Sequence, residues 1–273
     1  MTTIRVGDIT LSRVLYVDAA IDPDPTGLTP DEVRSVAWAE PQWAEGDQVR
    51  AAACAWVVQG GGRTLVVDPA GNIDDILHDP ATTADHQQAF IDAFARAGID
   101  VDVVDTVLLS HIESVGITAV RDAERSHGWR PFFPNSRIAI SEQARRHFDD
   151  ERGDDIVSEA FGALFADGLI DTFSDGDAIL PRLRVEWTGA HNPGHVAFHV
   201  GDPVQASFVG HLAVTPLHLA TGPCVQQHPD PQRAWDWLQS TAADGRQLIG
   251  PLWPSPGAGR WDGASFTGID AAT

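Results

Sequence analysis

The stretch from Val103 to Gly116, VVDTVLLSHIESVG, constrains the fold more than any other part of this chain. It is a short apolar run, bounded by Asp102 and interrupted by Asp105, that stops abruptly at Ser110, His111, Ile112 and Glu113. A run of this length, rich in valine and leucine, reads as a strand covered on both faces. Polar groups at its C-terminal end then project into a crevice. His111 and Glu113 are two residues apart, so an extended backbone aims both to one side, a chelating or acid/base arrangement. Taken alone, the stretch favours a strand-end loop with a solvated glutamate and a hydrogen-bonded histidine.

The rest of the chain repeats the pattern. Ile4 to Val14 alternates as a pair of strands around Gly7-Asp8, and Thr29-Pro30-Asp31-Glu32 is a helix start with a capping box. That helix opens an N-terminal arm carrying Trp38 and Trp43, which reads either as laid against the body or as a homodimer contact. Residues 51–58 and 64–67 form a hairpin across Gly60-Gly61-Gly62, and the second strand ends at Asp68-Pro69-Ala70-Gly71. Helical spacing covers residues 83–97, stopping at Gly98, and residues 119–127, 142–150, 154–167 and 231–243 also read as helices. Strands are expected at 137–141, 170–173, 183–187, 196–200, 206–209 and 247–250. Strands, a helix, then strands and a helix again suggest two similar halves in a single domain over 1–273, with 1–50 as its N-terminal strands and arm.

Composition narrows the function. The net charge is -21, and all 18 basic residues are arginine. Such a surface repels phosphate backbones and anionic lipids, which argues against nucleic-acid and membrane partners, and the missing lysine removes Schiff-base chemistry. No apolar run approaches the ~18 residues of a membrane span, and the N-terminus lacks a secretory pattern, so a cytoplasmic protein is expected. Cys54 and Cys224 form no CxxC pair and read as small core residues. There is no GxSxG elbow and no Gly-rich phosphate loop.

Three later strands also stop in polar residues: Gly189-Ala190-His191-Asn192-Pro193-Gly194-His195, Val209-Gly210-His211, and Gly250-Pro251-Leu252-Trp253-Pro254. With Asp68 and His111-Ile112-Glu113, this ordered set resembles the metallo-beta-lactamase superfamily. Asp68-Pro69-Ala70-Gly71 sits at that family's Asp-Thr-Gly turn, Ser110 to Gly116 at its HxHxDH motif, and His191 to His195 at its HTPGH segment. Phe133-Pro134-Asn135-Ser136-Arg137 looks most like the branch of quorum-quenching lactonases and organophosphate hydrolases. The resemblance covers about Ala51 to Arg260 and implies an α+β fold, the αββα four-layer sandwich. It also implies two zinc or iron ions and a bridging hydroxide that attacks a carbonyl or phosphoryl centre.

The ligand set departs from that pattern. His111 and His191 hold motif positions, but Glu113 replaces the second histidine, Ser114-Val115-Gly116 stands where an Asp-His pair belongs, His211 replaces the bridging aspartate, and Leu252 the last histidine. A dinuclear centre is therefore not expected. His111, Glu113, His191 and His211 would converge either to hold one zinc or iron ion or to work without metal, Glu113 and His211 as acid and base. The expected function is a divergent enzyme acting on a small apolar ester, lactone or related carbonyl compound. A metal-independent cyclase, dehydratase or decarboxylase and a non-catalytic binding protein are the alternatives. Asp68 reads as an orienting or capping carboxylate, His195 as a packing residue, and His199 and His218 as satisfied structural histidines. The helix at 156–165 and Trp38, Trp43 and Trp253 are candidates for an apolar pocket wall, or for core.

Overall fold

The computed structural model describes residues 2–69, 80–113, 115 and 117–269. One sheet runs in the order Thr3–Val6, Ile9–Ile21, Gln48–Gly60, Arg63–Val67, Thr106–Leu108, Arg137–Ser141, Ile170–Phe173, with Ala44–Glu45 paired to Gln48–Gly60. A second runs in sequence order from Ala178–Leu180 through Leu183–Trp187, Val196–Gly201, Val204–Phe208, Gln247–Ile249 and Ala258–Trp261 to Phe266–Gly268.

Residue alternation along the strands builds three apolar layers. In Gln48–Gly60, Cys54, Trp56 and Val58 face the second sheet, where they meet Phe198, Ala206 and Phe208. Their neighbours Ala55 and Val57 face the other way, onto Phe90, Phe94, Phe161 and Leu164 of two covering helices, Pro80–Arg96 and Ile156–Ala166. The third layer lies on the far side of the second sheet, where Ala234, Leu238 and Ala242 of helix Pro231–Ala242 pack with the N-terminal segment. The period of two thus places each sheet between helices and its partner, an αββα sandwich.

The strand at Thr106–Leu108 is central and fully buried, parallel to both Arg63–Val67 and Arg137–Ser141. Its C-terminal end opens onto the same edge as the ends of Arg63–Val67 and Val204–Phe208. Crevices at the carboxyl ends of parallel strands are where α/β folds bind ligands.

Two expectations need correction. Residues 119–127 form no helix: Ala119–Arg121 is a strand that pairs with Trp129–Pro131. Positions 121 to 127 are Arg-Asp-Ala-Glu-Arg-Ser-His, which leaves a helix no apolar stripe to bury. Beyond Ile249, Ala258–Trp261 and Phe266–Gly268 extend the second sheet around a turn at Asp262, where the sequence shows mostly Gly, Pro and Ser.

Trp43 and Trp253 are core residues, and Trp38 packs against their cluster from the arm. Trp43 is 1% exposed and meets Trp253 and Phe266 edge-on, while Trp38 meets Trp261. The Trp253 indole donates to the Ala213 carbonyl at 2.7 Å. The arm is laid on its own body, starting from the Thr29–Glu32 capping box. Among the described residues no helix is long and apolar enough to cross a membrane.

Candidate active site

The chain turns sharply after Val67, and Asp68, at φ +37°, holds the turn. Its Oδ1 accepts the Ser110 amide at 2.7 Å, so the carboxylate caps the loop that carries His111. Burial pushes the Asp68 carboxyl above its ordinary range against the lowering effect of the Ser110 bond and the nearby histidines. Ser110 Oγ lies 3.0 Å from His111 Nδ1, which leaves Nε2 as the inward nitrogen. That Nε2 is buried and lacks a hydrogen-bond partner among the described residues.

The structure brings together all four residues named from the sequence. The His111 ring lies 4.7 Å from His191 and 4.9 Å from His211, centroid to centroid. Glu113 Oε2 reaches His211 Nδ1 at 3.0 Å and approaches His111 Nε2 at 3.4 Å. The Glu113 side chain keeps 44% of its surface exposed, so it stands at the mouth of the cluster rather than inside it. Burial raises its pKa, but His211 and His111 outweigh that effect and hold the carboxyl well below the usual range. For His211 burial lowers the pKa, and the charge and hydrogen bond of Glu113 reverse the sign, raising it. His191 is pushed down to about 3 by burial and by the neighbouring imidazoles, so it is a neutral ring with a free lone pair.

His111, His191 and His211 each place one ring nitrogen within 4.8 Å of the other two. Three imidazoles with one buried, unpartnered Nε2 form a donor set that fits a single borderline metal ion such as zinc or iron. Among the described residues no further group of three His, Cys, Asp or Glu side chains fits an ion.

Three other histidines separate by environment. His195 is fully buried and bonded to Thr188 Oγ1 at 2.8 Å, the packing role expected of it. His199 lies between Glu186 and Ser207 at 2.6 and 2.8 Å, and His218 donates to the Thr26 carbonyl at 3.0 Å. His228 belongs to the site although no motif marks it: its Nδ1 is 3.2 Å from His191 Nδ1. The only signal in the sequence is a histidine inside the polar Gln227-His228-Pro229 loop, which is too common to single out.

A cavity of about 370 Å³ opens over the cluster. Asp68, His111, Glu113 and His211 line its polar end, and Ala51, Ala53, Ala19, Val17 and Leu252 are among its apolar walls. The floor comes from two paired strands, with Ala19 opposite Ala51 and Val17 opposite Ala53. Neither the helix Ile156–Ala166 nor Trp38, Trp43 or Trp253 reaches it, because all are used in the core layers. Among the described residues no arginine lines it.

Gly210, in the short 3-10 turn that carries His211, has φ +54°. A Cβ there would lie 2.5 Å from His195 Nε2 and 2.8 Å from Ser110 Oγ. Backbone strain and overpacking together predict that Gly210→Ala lowers the unfolding free energy by about 2–4 kcal/mol. Urea titration reads this directly, and an unchanged midpoint would mean that the turn relaxes without cost.

No family model matches the chain, and no curated protein sequence matches it. Solved structures do match over nearly the whole length. A hydrolase of the beta-lactamase superfamily, AbOPH, superimposes with a TM-score of 0.74 at 17% identity, covering 100% of this chain and 98% of its own. AidC, a dizinc quorum-quenching lactonase in complex with a homoserine product, gives 0.70 at 12% identity, covering 99% and 97%. A probable metal-dependent hydrolase from Staphylococcus aureus gives 0.67 at 14% identity, covering 99% and 100%. At these identities the likeness shows the fold, which is that of the metallo-beta-lactamase superfamily.

Proposed function

We propose that this chain, built on the metallo-beta-lactamase fold, is a hydrolase of small, uncharged, largely apolar esters or lactones, working with one metal ion held by His111, His191 and His211. The observation that carries this reading is the convergence of three imidazole nitrogens within 4.8 Å, with two of the rings, His111 and His211, lining the polar end of a largely apolar cavity. The similar structures, a lactonase and two hydrolases, agree with it in reaction class.

When bound, the ion would polarise the substrate carbonyl and lower the pKa of a water towards ~7. The protein's own contribution starts with Glu113. Kept ionised by His111 and His211, it stands at the cavity mouth as a hydrogen-bond acceptor that orients the attacking water, whose proton ends on the leaving oxygen. His211, hydrogen-bonded to Glu113, holds that carboxylate in place. The alanine floor accepts the apolar body of the substrate close against the two strands. Away from the ion, the described lining offers the body of an anionic substrate no arginine to pair with.

One observation favours a second reading. Glu113 Oε2 contacts both His111 and His211, so a carboxylate can balance the imidazoles with no ion between them, which suits metal-free acid/base chemistry on a non-hydrolysed substrate. Elemental analysis of protein purified without chelator, followed by turnover of neutral lactones and esters in ¹⁸O-water, separates the two. The expected result is one equivalent of metal, activity lost on chelation and regained with zinc, and solvent oxygen in the acid product. Two equivalents would overturn the one-ion site. Full activity after exhaustive chelation, without solvent oxygen in the product, would establish the second reading in its place.

A further inference from the structure

We infer that His228 is a positioning residue that fixes His191 in the tautomer and orientation presenting its Nε2 lone pair to the cluster. The inference rests on reading His191 as a ligand, but its evidence comes from the opposite side of that ring. His191 Nδ1 lies 3.0 Å from the Gln227 carbonyl and 3.2 Å from His228 Nδ1. A carbonyl oxygen only accepts, so the proton must sit on His191 Nδ1. His228 Nδ1, facing that same proton, then serves as a second acceptor and carries its own proton on Nε2.

The rest of the His228 environment agrees with this assignment. The ring is 6% exposed and meets His191 edge-on, with centroids 5.3 Å apart and planes at 82°, so it cannot turn out to water. His228 therefore holds the His191 ring from behind, on the Nδ1 side. Partners of this kind set the tautomer and direction of a ligating histidine, and their loss typically costs about 10–100-fold in metal affinity.

The test has two readouts. In the metal-free protein, ¹⁵N-resolved NMR of the histidine rings should find His191 protonated on Nδ1 alone. In His228→Phe, which keeps the volume and removes the acceptor, a population protonated on Nε2 should appear. Titration with Co(II), followed by its visible absorption, should give about tenfold weaker binding in His228→Phe. His228→Asn, whose side-chain oxygen returns an acceptor near the Nδ1 position, should recover most of that loss. A merely structural role would lower the thermal midpoint but leave tautomer and cobalt affinity unchanged, and that result overturns the inference. So does a wild-type His191 protonated on Nε2, which needs no variant to be observed. If wild type takes up no cobalt, the one-ion reading fails, while the tautomer measurement still decides this one.

Discussion

His111→Ala is expected to abolish tight metal binding and to lower kcat/KM by at least about 10³-fold, the scale of losing a preorganised electrostatic group at a reacting centre. His111 is the hub of the cluster: its ring is the one nearest to both His191 and His211, and its Nε2 is buried without a hydrogen-bond partner among the described residues. Removing it leaves two imidazoles, too few to hold a borderline ion against water. His191→Ala should cost a similar factor, and the double variant little more than either alone, because groups that act as one unit lose their effect together. His199→Gln is the control. That histidine is bonded to Glu186 and Ser207, away from the cavity lining, so its replacement should leave kcat/KM of the folded protein within a few-fold. Equal losses at His111 and His199 would show that the cluster is structural.

Acidification should destabilise the metal-free protein by several kcal/mol between pH 6.5 and 4.5. Burial holds His191 down to about 3, and His218 and His228 down to about 4. An unfolded chain takes up a proton on each near pH 6.5, so in this window the unfolded state binds more protons and stability falls as pH falls. Each fully developed unit of depression is worth about 1.4 kcal/mol, and mutual repulsion among the rings makes their sum smaller than three independent terms. Two groups act in the opposite direction. His211, raised by Glu113, adds stability below pH 6.5 that is lost as pH rises through its folded pKa, and Asp68, raised by burial, adds stability in acid. These three depressed histidines, joined by His195, which burial also holds well below its ordinary value, outweigh them and leave a net loss. Urea midpoints across the window check it, and a flat profile would mean that the buried rings are charged in the fold. His218→Gln should flatten the slope by one group's share, since His218 lies outside the cluster, bonded to Thr26.

The site was legible wherever a residue falls at the end of a strand. His111, Glu113, His191 and His211 each follow a short apolar run directly, and a strand that stops at a sheet edge has only one place to put its next polar residues. His228 was hidden because it lies in a loop, where position is set by what the loop packs against. The pocket walls were misjudged for a related reason. Large aromatics at Trp43 and Trp253 looked suited to line a cavity, yet they fill the outer core, and the cavity exists where alanines at 19, 51 and 53 leave space. Absence of side-chain volume creates a pocket, and composition does not advertise it.

Alternation of apolar residues determined the sheets by itself, since a period of two fixes which face of each strand is buried whatever its partner. The order of polar strand ends determined which residues meet. What only the tertiary structure decided is how they meet: that Glu113 lies between two imidazoles, that His191 has His228 behind it, and that the short segment after Arg121 forms a hairpin rather than a helix. Those outcomes depend on distances of about 3 Å between segments far apart in the chain, and hydrogen bonding and charge at that range are set by the packed fold.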